Sequence, residues 1–464
     1  MKVIIFLDSR KKGECEFMLG LEFLVILGCL LLGTRYGGMG LGLISGIGLF
    51  ILTFVFGIEP GKPPIDVMLT ILAVIACASV LQTAGGLNVM MKVAERVLRR
   101  HPSYITILAP ITTWTLTMLC GTGHVVYTMF PIIYDIAIKK GIRPERPMAV
   151  ASVASQMGIG ASPVSVSVVS MVSILAAGQG IGKAVGILDL LMISVPATFI
   201  GVVAAALWSM RRGQDLEKDV EFQAKIQDPE QKEYIYGSVE TLQDTELPKE
   251  AYWATWIFFA GIIGVVLLGS FPSLLPKFGA VGKLKPMSMT LAIQMIMLIA
   301  GAIIMMSCKV NSREVSKGPV FQAGMVAIVS VFGVAWMSDT FFQSHFTLLK
   351  DTLAGVVASK PWMYAIVLFL VSKLVNSQAA AIAAIAPMGV ALGVDPKMMV
   401  AFFPAAYGYF ILPTYPSDLA CIGFDRSGTT RIGKFIINHS FIMPGIIGVV
   451  AGCMTGYLLV KILM

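Results

Sequence analysis

The sequence predicts an all-helical protein that crosses the membrane many times and is built from two inverted repeats. Apolar residues make up 56% of the 464 residues and charged residues 13%, about half the roughly 25% of soluble proteins. The mean hydropathy is +0.81. These values exclude an intrinsically disordered chain, and seven scattered Cys with no CxxC pair exclude a small disulfide scaffold. At about 20 apolar residues per crossing, the length allows ten to twelve membrane elements.

Each half of the chain is predicted to hold five spans and one re-entrant hairpin. The apolar segments 103–138 and 361–391 are too long for one crossing, and polar residues interrupt each at its middle. We expect hairpins there, because non-helical backbone at membrane depth must be surrounded by protein or water. The predicted spans are 17–34, 37–57, 66–87, 148–177 and 186–208 in the first half, and 252–270, 287–308, 318–338, 397–423 and 435–461 in the second.

The surplus of positive charge indicates membrane orientation and not a nucleic-acid partner. The net charge is +8, but most Lys and Arg lie in short turns between apolar segments, where they orient a membrane protein. If the basic stretch 88–102 is cytoplasmic, 21 of the 35 Lys and Arg fall on the cytoplasmic side. Both termini are then predicted to lie on the opposite side of the membrane.

Four regions follow from this layout. Residues 1–17 are predicted to be an extension upstream of the true start at Met18, and 18–208 form the first membrane repeat. Residues 209–250 form an acidic cytoplasmic linker, and 251–464 form the second repeat. Five crossings per half is an odd number, so the second repeat must be inverted. Inverted repeats with paired broken helices are typical of secondary transporters that bind substrate near the bilayer midplane.

The two hairpin tips and two broken spans are the predicted binding elements. A helix that begins at such a point presents free N–H groups and a positive dipole end, which suits a carboxylate. Two such anion-binding ends would suit a small dicarboxylate. The predicted substrate-binding residues lie at or beside these points: Gly121, Thr122, Gly123, His124, Ser162, Pro163, Ser165, Lys373, Asn376, Ser377, Gln378, Thr414, Tyr415, Ser417 and Asp418.

Three of these candidates have alternative interpretations. His124 either donates to a carboxylate or senses pH, or it is a neutral structural histidine bonded to backbone. Lys373 and Asp418 both fall within predicted membrane elements, so each is either the counter-ion of the other or, for Lys373, a cation for a dianionic substrate. We find no nucleophile–base pair and no metal motif, so no enzyme activity, catalytic residue, metal or cofactor is predicted.

Six long strings at the predicted tips, breaks and turns form a recognisable set. They are Cys-Gly-Thr-Gly-His-Val-Val-Tyr (120–127), Arg-Pro-Glu-Arg-Pro-Met (143–148), Ala-Ser-Pro-Val-Ser (161–165), Val-Asn-Ser-Gln-Ala-Ala (375–380), Ile-Leu-Pro-Thr-Tyr-Pro-Ser-Asp (411–418) and Phe-Asp-Arg-Ser-Gly-Thr-Thr (424–430). These strings resemble the Dcu family of anaerobic C4-dicarboxylate transporters, and the His-Val-Val-Tyr form is most similar to its DcuB branch. The resemblance covers nearly all of 18–464.

The resemblance implies an antiporter of the bacterial inner membrane, and the charge distribution then predicts that both termini are periplasmic. It implies exchange of fumarate, malate or aspartate for succinate during anaerobic respiration, and uptake and efflux modes driven by ion gradients. By analogy with the ion-transporter superfamily, it implies an elevator-type movement. The superfamily's sodium–carboxylate members carry Ser-Asn-Thr at their hairpin tips, whereas this chain has Gly121-Thr122-Gly123 and Asn376-Ser377-Gln378.

Other interpretations remain open at the level of the sequence. A sodium- or proton-coupled C4-dicarboxylate symporter would have the same architecture, and counterflow without a cation gradient separates it from an antiporter. The acidic linker could dock a membrane sensor, and the protein could form a homo-oligomer. An integral membrane enzyme would need a metal or nucleophile constellation.

Overall fold

Helices form almost all of the regular structure, which confirms the predicted all-helical fold. The structure is a computed structural model that describes residues 12–36, 39–63, 65–177, 185–237, 245–279, 284–345, 360, 362–413, 415–433 and 438–464. The strands within these ranges are β1 (Lys277–Phe278) and β2 (Lys285–Pro286), which pair antiparallel.

The first half holds long membrane helices, a helical hairpin and a broken helix. Helices α5 and α6 form the first hairpin, and the first broken span is α7 with α8. A π-helical turn, Ile51–Val55, extends α2. The helices are α1 (Lys12–Tyr36), α2 (Gly40–Phe50), α3 (Ile65–Thr83), α4 (Gly86–Arg100), α5 (Ile105–Cys120), α6 (Val126–Lys139), α7 (Glu145–Ile159), α8 (Val166–Ala177) and α9 (Ile187–Ser209).

The described part of the second half also holds long helices, a hairpin and a broken span. Helices α16 and α17 form the second hairpin, and the second broken span runs from α18 through two short 3₁₀ turns to α19. Two short helices lie in the linker, α10 (Val220–Lys225) and α11 (Pro229–Tyr236). The later helices are α12 (Lys249–Ser270), α13 (Met289–Ser307), α14 (Ser312–Val315), α15 (Pro319–Ser344), α16 (Trp362–Val375), α17 (Gln378–Ala391), α18 (Pro396–Ala401), α19 (Pro416–Phe424) and α20 (Ile442–Leu463).

In the described ranges, six helices are long and apolar enough to cross a membrane alone. The number becomes seven if the pair 68–83 and 86–100, which bends by 70°, is one span. One of the six contains α5, the first arm of the first hairpin, whereas α8 and both arms of the second hairpin, α16 and α17, are shorter apolar helices. Helix α4 carries buried apolar residues on one face and basic residues in its last turn, which is typical of a helix lying along the membrane surface.

The packing of the two halves follows a paired pattern. Helix α1 packs on α2 in the first half, and α12 packs on α13 in the second. Between the halves, α3 packs on α13, α15 packs on α2, and α9 packs on α20. The second arm of each hairpin contacts a broken span of the other half, since α6 packs on α19 and α17 packs on α8. Helix α7 is buried along nearly its whole length, so the core of the molecule surrounds the first broken span.

The linker is attached to the ends of the hairpin and broken-span elements. Asp219 in the linker forms an ion pair with Arg143, and Asp215 forms one with Arg146 at 2.9 Å. Burial acts to raise the pKa of Asp219, but the amide of Phe222 and the guanidinium of Arg143 hold it below its ordinary value. Further along, the Tyr134 hydroxyl donates to the Ile235 carbonyl at 2.9 Å. The linker therefore packs on the membrane part instead of forming a separate domain.

Candidate functional site

The first hairpin tip is a tight turn that starts a new helix. Gly121 ends α5 with a left-handed φ of 75°, which glycine adopts without strain. Thr122 follows in an extended conformation, and its hydroxyl accepts a hydrogen bond from the amide of His124 at 3.4 Å. A short 3₁₀ turn, Gly123–Val125, then leads into α6. This turn presents a helix start at the tip, as the sequence predicted from its Gly-rich interruption.

The second tip repeats this backbone pattern with different residues. Asn376 adopts a left-handed φ of 48°, a region that Asn tolerates better than most residues. Ser377 is extended, and its hydroxyl accepts from the amide of Ala380 at 3.3 Å, which caps the start of α17. The left-handed residue is held in place because the Lys373 ammonium donates to the Asn376 side-chain oxygen at 3.0 Å.

The broken spans supply two further helix starts. In the first, the hydroxyl of Ser162 accepts from the amide of Val164 at 3.3 Å, and that of Ser165 accepts from Val168 at 3.2 Å, which caps α8. In the second, Tyr415 is the residue before α19, with Pro416 in the first turn, where its missing N–H costs nothing. The prolines and serines of both breaks thus end one helix and start another.

One cavity of about 140 Å³ lies between the two tips and the two breaks. Helices α3 and α15 supply its apolar walls. The residues from the tips and breaks that line it are Gly121, Thr122, Gly123, His124, Val164, Val166, Ser167, Ser377, Gln378, Ala379, Tyr409 and Tyr415. Four helix starts therefore face one space: those of the 3₁₀ turn before α6, and of α8, α17 and α19. Among the described residues that line it, none is Asp, Glu, Lys or Arg.

A buried hydrogen-bond network that the sequence did not reveal joins the halves beside the cavity. The Tyr409 hydroxyl donates to the side-chain oxygen of Gln156 at 2.7 Å. The amide of Gln378 donates to the Gln156 carbonyl at 2.7 Å and lies 3.4 Å from the Tyr409 hydroxyl. A Cβ added at Gly123 would lie 2.5 Å from the Gln156 amide nitrogen. Gln156 therefore connects the first tip to the second.

His124 is the side chain of the first tip that is best placed to contact a ligand. Its ring lines the cavity and stacks on Tyr127, with 5.7 Å between ring centroids. In the described part of the chain, the ring nitrogens of His124 have no hydrogen-bond partner, although the ring is half-buried. An imidazole in this position can donate a hydrogen bond to a carboxylate in the cavity.

The remaining predicted residues lie behind this lining. Ser162, Pro163, Ser165, Ser417 and Asp418 are buried in the breaks and do not line the cavity.

Lys373 and Asn376 also stand outside the cavity lining. The Lys373 ammonium donates to the Asn376 side chain and, at 3.3 Å each, to the carbonyls of Tyr409 and Leu412. It thus holds backbone beside the second tip. Thr414 lies outside the described residues. Among the described side chains, no group of three or more His, Cys, Asp or Glu could hold a metal ion.

The bundle, its broken helices and its central cavity define an integral membrane transporter. The chain belongs to the family described as anaerobic C4-dicarboxylate membrane transporter, whose match covers residues 18–464. The family resemblance seen in the sequence is therefore confirmed.

Curated relatives match along their whole length. The protein named anaerobic C4-dicarboxylate transporter DcuB of Escherichia coli O6:H1 is 56% identical over 438 residues, which are 94% of this chain and 97% of the relative. The C4-dicarboxylate transporter DcuA of Escherichia coli K12 is 38% identical over 445 residues, 95% and 99% of the two chains. DcuA of Wolinella succinogenes is 38% identical over 449 residues, 96% and 100% of the two chains.

Two solved structures share the fold at low sequence identity. The YdaH transporter of Alcanivorax borkumensis, described as having an unusual topology, aligns with a TM-score of 0.55 and 16% identity over 85% of this chain and 84% of that one. MtrF of Neisseria gonorrhoeae aligns with a TM-score of 0.55 and 13% identity over 90% and 85%. At these identities the comparison shows the fold alone.

Proposed function

We propose that this chain is an antiporter that exchanges C4-dicarboxylates, with fumarate, malate or aspartate passing one way and succinate the other. The relatives' names support the substrate class. The observation that carries the proposal is the convergence of four helix starts on one cavity, whose described lining residues include no carboxylate. Each helix start carries a partial positive charge, so the cavity favours an anion.

The geometry also supports an anion with two carboxylates. Helix starts from the first half, at Gly123 and Val166, and from the second half, at Gln378 and Pro416, belong to different elements. Each half thus contributes the positive ends of two helices, so one carboxylate can be bound by each half. Between them the walls from α3 and α15 are apolar, including Val74, Ile75 and Val320, which suits the short carbon chain of a C4 acid.

Neutral and titratable donors complete the proposed binding site. We assign the hydroxyls of Thr122 and Ser377 and the His124 ring to the carboxylates. Hydrogen bonds to a charged group contribute about 1.5–3 kcal/mol each. Lys373 is better placed as a support of the second tip, because its ammonium already donates to three oxygens there.

Alternating access by two inverted repeats is the mechanism we propose. The paired packing of α1–α2 with α12–α13, and the crossing contacts of α6 with α19 and α17 with α8, support a twofold relation between the halves. In such carriers one group of hairpins and broken helices moves against the rest around a fixed site. The proposed setting is the bacterial inner membrane, with both termini periplasmic and the linker cytoplasmic.

Counterflow in proteoliposomes tests the function directly. Vesicles preloaded with succinate, with no pH, sodium or electrical gradient, are expected to take up labelled fumarate, whereas empty vesicles are not. Uptake that is strictly dependent on an inward sodium gradient, equal in loaded and empty vesicles, would favour a symporter. Glutarate outside the vesicles serves as the control for chain length, and acetate serves as the control for the second carboxylate.

A further inference from the structure

Asp418 is a carboxyl group buried between the two broken spans. It lies in the first turn of α19 with 1% of its surface exposed. The hydroxyl of Ser152, on α7 of the other half, donates to its Oδ1 at 2.8 Å, and the Ser417 hydroxyl lies 3.2 Å from that of Ser152. In the described part of the chain, its other oxygen, Oδ2, is buried and has no hydrogen-bond partner.

Asp425, seven positions further on, is a contrasting buried carboxylate. Its Oδ1 accepts from the amide and hydroxyl of Ser427, and its Oδ2 accepts from the Thr429 hydroxyl at 2.8 Å and the Thr430 amide at 2.5 Å. Asp425 thus has the donors that an ionised group needs inside a protein. Asp418 has one hydrogen-bond donor at Oδ1 and none among the described residues at Oδ2. Burying an ionised carboxylate with so few donors is costly.

Asp418 lies in the first turn of a helix that starts beside the cavity, so its charge affects anion binding there. Tyr415, which lines the cavity, is the residue before α19, and Asp418 stands at the third position of that helix. A negative charge at a helix start cancels the positive dipole end. An ionised Asp418 therefore weakens one of the four helix starts and repels a dianion in the cavity, whereas a protonated Asp418 leaves that start available.

We propose that Asp418 is the proton-binding group of the carrier and that it is protonated when a dicarboxylate dianion occupies the cavity. This inference rests on the proposed dicarboxylate transport. A proton from water on the loading side binds a lone pair of Oδ2 and returns to water on the other side, and no other bond changes. Each dianion then crosses with one proton, so the exchange of two dianions moves no net proton.

The surroundings favour a proton over a metal cation. Hard metal cations are held by a shell of several oxygen ligands, and the described residues give Oδ2 none. Among the described residues, the charged or titratable groups in electrostatic reach of Asp418 include Lys373, Tyr127, Tyr407, Tyr409, Tyr415 and Cys421. Lys373 is the cation among these groups, and its ammonium is engaged by oxygens beside the second tip.

The test is the pH dependence of substrate affinity. The half-saturating fumarate concentration is measured in fumarate–succinate exchange, with equal pH on both sides, between about pH 6 and 9, where carboxylic acids of ordinary pKa are ionised. For the unmodified chain, the half-saturating fumarate concentration should rise at the alkaline end of this range. The rise should reach at most about tenfold per pH unit, which is the slope for one linked proton. Asp418→Asn should give a flat profile, and Asp425→Asn should keep the rise.

A second variant keeps the test decisive if Asp418→Asn does not accumulate in the membrane. The hydrogen bond from Ser152 to Oδ1 favours the ionised form of Asp418. Because Ser152→Ala removes this bond, the midpoint of the profile should move to higher pH. A sloping profile in Asp418→Asn, an unmoved midpoint in Ser152→Ala, or a profile set by sodium instead of pH overturns the assignment. Absence of any fumarate exchange by the unmodified chain instead contradicts the proposed function.

Discussion

The two hairpin tips have the same backbone conformation but use their side chains differently. Each has one left-handed residue, Gly121 or Asn376, followed by an extended residue, Thr122 or Ser377, whose hydroxyl accepts an amide hydrogen bond from the helix that starts there. In the first tip the left-handed residue is a glycine. In the second it is an asparagine that a lysine holds in place.

The difference lies in what each tip leaves available. The first tip is packed tightly, since a Cβ at Gly121 would lie 2.8 Å from the Val164 carbonyl oxygen, but its His124 ring remains available to a ligand. In the second tip, Gln378 and Asn376 are already bonded to the protein, through Gln156 and Lys373. We infer that the first tip supplies adaptable side-chain contact, whereas the second supplies mainly a fixed helix start.

The strongest way to break this comparison is Gly121→Ala, for which we expect about a hundredfold loss of exchange. A left-handed conformation costs a non-glycine residue about 1–2 kcal/mol, and overpacking against Val164 adds about 1–3 kcal/mol, so the tip must shift away from the break. The measurement is the initial rate of fumarate–succinate counterflow, normalised to the amount of carrier in the membrane.

Gly141→Ala is the matched control. Gly141 also has a positive φ, of 72°, but a Cβ there meets nothing within 4 Å. It therefore reproduces the backbone strain without the clash, and its exchange should stay within a few-fold of the unmodified chain. Equal losses in the two variants would show that strain, not the contact between tip and break, is responsible.

The next largest effect is expected from His124→Ala. Loss of a hydrogen bond to a charged group costs about 1.5–3 kcal/mol, so the half-saturating fumarate concentration should rise by about 10- to 100-fold with little change in maximal rate. His124→Gln keeps a donor of similar reach and should recover most of the affinity. Unchanged affinity in His124→Ala would assign the ring a purely structural role, stacked on Tyr127.

The sequence predicted the elements of the site better than its contacts. Interrupted apolar runs at Gly121–His124 and Asn376–Gln378 are local signals, and both interruptions are helix breaks in the structure. The network of Gln156, Gln378 and Tyr409 joins residues more than 200 positions apart, and no local pattern encodes that proximity. A local signal did exist for Lys373, because a lysine three positions before Asn376 is within reach of it along a helix.

Asn376→Ala is expected to reduce exchange by about tenfold. Alanine in a left-handed conformation costs about 1–2 kcal/mol, and the variant also removes the oxygen that accepts from Lys373. Asn376→Gly removes the same oxygen but adopts the positive φ freely, so it should lose only a few-fold. If the two variants are equally impaired in counterflow, the bond to Lys373 and not the backbone conformation sustains the second tip.

Ser377→Ala should have the smallest effect, and it separates two roles of one hydroxyl. Loss of the cap on α17 costs about 1 kcal/mol of stability when alanine replaces serine but only a few tenths when glycine does. The unfolding temperature of the purified carrier should therefore fall for Ser377→Ala and barely change for Ser377→Gly. Both variants lose the hydroxyl that we assign to a carboxylate, so both should show the same few-fold rise in half-saturating fumarate. If affinity instead follows the thermal shift, falling in Ser377→Ala alone, the hydroxyl acts only as a helix cap, and the second tip binds substrate through its backbone.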